Sequence, residues 1–200
     1  MVLDLNPVRF GQRVIGRLQH EQAMLRRALI RRSDPVGDIS VDRPPNLVIS
    51  PGGVGTTFVM EHLSRFVLLN SPYDSDGLKH VPAIPEDWFE RARVLYIAGD
   101  SVAVYASIER RDWTRELASK LGLVRELYAP GSARREALLQ AIAAQDRFFR
   151  SASEQGKALI VAYDDIWDSV DDMAEWFAIT DPAFVTEFPQ RKPRASNVGG

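Results

Sequence analysis

Between Pro51 and Thr57 the chain reads Pro-Gly-Gly-Val-Gly-Thr-Thr, and the chemistry open to such a stretch is the holding of an anionic phosphate. Glycines let the backbone curl around a ligand without a Cβ in the way, so that N–H groups point inward. Thr56 and Thr57 add hydroxyls where a helix would begin, and the positive end of that helix's dipole favours the same negative charge. Gly52, Gly53, Val54 and Gly55, with the two threonines, are therefore the first candidate binding set. The nucleotide-hydrolysis pattern GxxxxGK[ST] is not met, because no lysine precedes the threonines.

A second constellation lies downstream. The polar segment over 70–82, Asn-Ser-Pro-Tyr-Asp-Ser-Asp-Gly-Leu-Lys-His-Val-Pro, carries Lys79 beside His80. A neutral histidine is suited to taking a proton from an attacking hydroxyl, since its ordinary pKa is near the working pH. Lys79 offers the positive charge that the loop itself lacks, and Asp74 and Asp76 are placed to orient either one. Further on, Ser107, Arg110 and Arg111 fall one to two turns into an expected helix. A hydroxyl and a guanidinium there suit a further phosphate, although two arginines at a helix end also serve as ordinary solvated charge. The histidines at 20, 62 and 80 are too scattered for a zinc site by spacing, and no metal is expected. His62 shares an apolar helix face with Phe58 and Phe66 and reads as a core histidine.

These residues need a frame. Three short apolar runs, 47–50, 93–98 and 158–163, read as strands covered on both faces. Helical periodicity follows the loop, runs over 102–112 with a continuation over 114–121, and returns over 132–154 and after Asp168 or Ser169. Alternating strands and helices predict an α/β fold, a three-layer sandwich with a mainly parallel sheet and a P-loop-like nucleotide-binding arrangement. In such folds ligands sit beyond the carboxyl ends of the strands, where 51–57 and 99–107 both fall. Residues 1–45 read as an N-terminal helix (9–32, with a basic end at Arg26, Arg27, Arg31 and Arg32) followed by a linker. Residues 46–200 read as the α/β domain with a basic tail.

The 200 residues have 45% hydrophobic and 26% charged content, as in a soluble globular protein, with a net charge of −2. No basic excess points to nucleic acid. The absence of cysteine excludes disulfides and thiolate chemistry. The first residues lack the apolar core of a signal peptide and no run reaches transmembrane length, so a cytoplasmic protein without stable membrane insertion is expected.

Taken together, four segments resemble the sulfotransferase superfamily, whose members use 3′-phosphoadenylyl sulfate (PAPS). Pro51 to Thr57 is similar to the family's loop for the 5′-phosphate. Gly99-Asp-Ser-Val-Ala-Val-Tyr-Ala-Ser107 is similar to its element for the 3′-phosphate. Ala158 to Ile179 is similar to its later strand and the helix behind it, with Tyr163-Asp-Asp-Ile166 as the joining segment. Gln190-Arg-Lys-Pro-Arg-Ala-Ser-Asn197 is similar to its basic tail. The resemblance implies sulfuryl transfer from PAPS to a hydroxyl or amine acceptor. It also implies nucleotide contacts from the loop, from Ser107 with Arg110 or Arg111, and from Arg191 and Lys192. Two family cations are missing: a glycine, Gly52 or Gly53, replaces the loop lysine, and Gly99 replaces the arginine before Ser107. Lys79 is the expected substitute at the leaving phosphate, with His80 as general base. The loop also resembles that of partitioning ATPases, so a nucleotide-binding protein or kinase remains open, as does a degenerate, non-catalytic binding module.

Overall fold

The computed structural model describes residues 46–191, which belong to a single unit of the chain, Arg43–Gly200. The expected helix over 9–32, the linker after it, and Lys192 with the remaining tail lie outside the described residues.

All three expected strands form, each within a residue of its anticipated limits: β1 (Asn46–Ile49), β2 (Arg93–Ala98) and β3 (Ala158–Ala162). They make an open parallel sheet in the order β1-β2-β3, with Val48 beside Leu95 and Tyr96 beside Ile160. Seven α-helices accompany it among the described residues. These are α1 (Thr56–Leu63), α2 (Glu86–Phe89), α3 (Ser101–Glu109), α4 (Thr114–Lys120), α5 (Gly131–Glu154), α6 (Val170–Trp176) and α7 (Ala183–Thr186).

Alternation along the strands decides what each face of the sheet buries. Val48, Leu95, Ile97 and Val161 pack with Val59 and Met60 of α1, Ile108 of α3 and Ile142 of α5. Leu47, Ile49, Val94 and Tyr96 pack instead with Ile84, Trp88 and Phe149. Tyr96 stacks on Phe149 with ring centroids 4.7 Å apart. Each fully buried side chain of this kind contributes about 1.5–3 kcal/mol, so both clusters anchor the sheet. The 24-residue α5 supplies apolar residues to both.

One expected helix is two. α3 stops at Glu109, and Asp112 takes a left-handed conformation (φ 52°) before α4 begins. The Trp113 N–H returns to the Ile108 carbonyl at 3.1 Å, which closes the turn. The break swings Trp113 and α4 toward the glycine-rich loop. At the start of α3, Asp100 accepts a hydrogen bond from the Ala103 N–H at 2.8 Å, so this carboxylate is a helix cap.

Because the strands run parallel, their carboxyl ends share one edge of the sheet. β1 leads into 51–57, β2 into α3, and β3 into a short 3-10 turn over Tyr163–Asp165. The outer side of β1 is closed by a side chain. Asn70 accepts from the Val48 N–H at 2.7 Å and donates to the Val48 carbonyl at 3.0 Å. That pairing lays the segment leading to Lys79 along β1. Among the described residues no helix is long and apolar enough to cross a membrane.

Candidate functional site

The loop after β1 has the conformation its glycines permit: Gly52, Gly53 and Gly55 have φ of 93°, 71° and 65°. Among the described residues, the N–H groups of Gly53, Val54 and Gly55 donate to no protein acceptor, and α1 begins with no side-chain cap. Unpaired donors at the start of a helix suit an anion. The Val54 side chain is buried in the core, so this residue offers the cavity only its backbone. Thr56 donates its hydroxyl to Ser50 Oγ at 2.7 Å, a bond that fixes the loop's base. Thr57 Oγ1 instead accepts from Lys79 Nζ at 2.7 Å.

Lys79 is 5% exposed and donates to the Pro72 carbonyl as well, at 2.6 Å. Its backbone is pinned at both ends, by Ser50 N–H to Lys79 O and by Lys79 N–H to Asp74 Oδ1, each 2.9 Å. Among the described residues no carboxylate oxygen lies within ion-pairing distance of its ammonium. Burial lowers its pKa from the ordinary lysine value, opposed in part by the charge of Asp74. A lysine ammonium has three donors, and the protein engages two of them. A buried cation without a counter-ion is costly, and such a group is a natural partner for an incoming anion.

His80 follows directly. Its Nδ1 lies 2.9 Å from the Ser50 carbonyl oxygen, which can only accept, so Nδ1 carries the proton and Nε2 the lone pair. Burial is the main reason its pKa is lowered from 6.5 to about 4. In place of the expected base titrating near neutrality, the structure has a histidine that is neutral throughout the physiological range and intrinsically weaker as a base. Trp113 packs edge-on against it, with ring centroids 5.3 Å apart.

Loop, lysine and histidine enclose a cavity of about 370 Å³, walled on the far side by Arg111, Trp113, Glu116 and Lys120. The structure thus brings the expected Lys79, His80 and Arg111 together around the cavity of the glycine-rich loop. It does not bring Arg110, which caps α3 outside the cavity lining. Nor does it bring Arg191, which pairs with Asp164 at 3.0 Å and stacks over Trp167. Ser107 is buried and directs its hydroxyl to the Gly53 carbonyl at 3.4 Å, so it supports the loop from behind. Position 99 has no room for an arginine: a Cβ there would lie 2.4 Å from Val54 Cγ1 and 2.9 Å from Val104 Cγ2. His62 is a core residue as expected, its Nε2 2.8 Å from the Phe184 carbonyl oxygen. Among the aromatics, Trp113 lines the cavity, whereas Trp88 is in the core and Tyr128 is 85% exposed.

One contributor, Lys120, was not marked by sequence, and it is reached by the expected Asp74. Asp74 holds a left-handed backbone (φ 58°) and is buried, with Oδ2 2.6 Å from Lys120 Nζ. Lys120 is 3.2 Å from Glu116 and sits over the Trp113 ring, 5.0 Å from its centroid. Asp74 was expected to orient Lys79 or His80, and nothing in the spacing joined it to Lys120.

Comparison with known proteins found no matching family model, no matching curated protein and no matching solved structure.

Proposed function

We propose that this chain binds a nucleotide phosphate in the loop cavity and transfers a sulfuryl group from PAPS to a hydroxyl or amine, on a three-layer P-loop-like fold. The observation that carries the reading is Lys79: a buried ammonium with no carboxylate partner among the described residues, bonded to Thr57 of the glycine-rich loop and lining its cavity. It supplies a cation at the loop although the loop sequence has none. The unpaired N–H groups of Gly53, Val54 and Gly55 suit the same 5′-phosphate.

PAPS supplies the activated sulfuryl group. In this reading the acceptor oxygen or nitrogen forms a bond to sulfur as the bond from sulfur to the bridging phosphate oxygen breaks. Lys79 stabilises the negative charge gathering on that oxygen, and His80 Nε2 receives the acceptor's proton. A small electropositive cavity excluding water would strengthen both effects.

A second reading is favoured by the other half of the site. With Gly99 walled in and Ser107 turned to the Gly53 carbonyl, only Arg111 of the set Ser107, Arg110 and Arg111 is presented to the cavity. That arrangement suits a nucleotide lacking the 3′-phosphate. A thermal-shift panel with adenosine 3′,5′-bisphosphate, AMP, ATP and GTP separates the two, because a ligand of the native state raises its stability. Stabilisation by the bisphosphate well above AMP supports sulfuryl transfer; equal response to both supports the second reading; no response to any nucleotide rejects a nucleotide site.

A further inference from the structure

The polar segment carrying Lys79 and His80 has little regular structure of its own, and something must hold it against the phosphate loop. Asp74 joins the two sides of the cavity. One carboxylate oxygen, Oδ1, accepts from the Lys79 N–H at 2.9 Å; the other lies 2.6 Å from Lys120 Nζ at the end of α4. Lys120 in turn lies over Trp113, which meets His80 edge-on. Both charged partners are largely removed from water, at 4% and 15% side-chain exposure, where an ion pair is screened little by salt.

Building on the proposed anion site, we propose that Asp74 and Lys120 form a latch between the 72–80 segment and α4, positioning Lys79 and His80 at the loop without touching the ligand themselves. Opening the latch would let water reach His80 and would loosen Lys79 from Thr57.

The test uses the full chain in two measurements. Ring-nitrogen NMR titration of His80 without ligand compares the parent with Asp74→Asn and Lys120→Met. The charges facing His80 are those of Asp74, Lys120 and Lys79. If only Coulomb effects operate, removing the Asp74 charge lowers the His80 pKa and removing the Lys120 charge raises it. If the latch holds His80 in its dry site, both variants move it upward from about 4 toward the ordinary 6.5. Shifts of opposite sign, or none, overturn the proposal. Asparagine tolerates the left-handed backbone at position 74, so that variant stays informative if Lys120→Met does not fold.

Titration calorimetry with inorganic pyrophosphate gives the second reading. Each single variant is expected to bind about tenfold more weakly, and the double variant no worse than either, because all three cut one connection. Lys120→Arg, which restores the pair, should keep parental affinity and a low His80 pKa. Fully additive losses would make Lys120 a direct ligand group and reject the latch. Failure of the parent to bind pyrophosphate, with both His80 shifts upward, would reject the anion site and leave the latch standing.

Discussion

At the carboxyl end of β1 a cation is delivered to the glycine-rich loop from outside it; at the carboxyl end of β2 the strand end itself carries no cation. Lys79 reaches Thr57 from 22 residues away. Beside β2, Val54 and Val104 occupy the space an arginine at position 99 would need. Arg111 lines the cavity, but from the turn beyond α3 and not from the strand end. The difference teaches that charge beside such a loop is a matter of position in space, which any nearby segment can fill if the core does not close over it.

The largest expected effect tests how dry the β1 end is. Folded His80 titrates near 4, whereas the unfolded chain titrates near 6.5, so between those pH values the unfolded state binds more protons. The sign follows: stability is intact above about 6.5 and falls as pH drops toward 4, by about 3 kcal/mol at 1.36 kcal/mol per pKa unit. Urea unfolding at stepped pH should show this fall in the parent beyond whatever His80→Gln shows. Identical profiles would mean that His80 is not held in a dry site.

Next comes Lys79. Lys79→Met removes a charge-assisted contact worth about 1.5–3 kcal/mol, and calorimetry should show nucleotide or pyrophosphate binding weakened roughly 10- to 150-fold. The same variant should melt no lower than the parent, because a buried cation with no ion-pair partner among the described residues gives way to a side chain of similar length. Weaker folding with unchanged binding would reverse the roles assigned here.

At the β2 end, Gly99→Ala is expected to destabilise by about 1–3 kcal/mol through overpacking against Val54, and adding Val54→Ala should recover part of the loss. Chemical denaturation checks both. The smallest effect is reserved for Ser107→Ala, which removes a bond of 3.4 Å to the loop's back. It should cost about 0.5 kcal/mol or less and weaken AMP and the bisphosphate equally. A selective loss of the bisphosphate would restore Ser107 to the ligand and sharpen the likeness between the two ends.

The local parts of this molecule were legible because local chemistry decides them. Apolar runs bounded by turn residues became β1, β2 and β3, and the glycine-rich turn became an open loop with unpaired donors. Lys79 and His80 were placed near that loop by adjacency in the chain. What escaped was pairing across sequence distance. Asp74 and Lys120 are joined through a left-handed residue in a loop and the last turn of a helix, and neither type nor spacing announces it. Arg110 and Arg111 were indistinguishable until the backbone turned at Asp112 and placed one of them at the cavity. The dryness of His80 was likewise hidden, since it comes from Trp113 and the loop closing around it.

Asn70 has a consequence for how this sheet can grow. By offering the N–H and C=O of Val48 an amide in place of a neighbouring strand, it uses the groups through which another chain would template onto β1. The amide proton of Val48 should therefore exchange with solvent as slowly as one in a central strand. Asn70→Ala would uncover a sticky edge, and the first sign would be self-association on standing, seen by light scattering before any loss of helix signal.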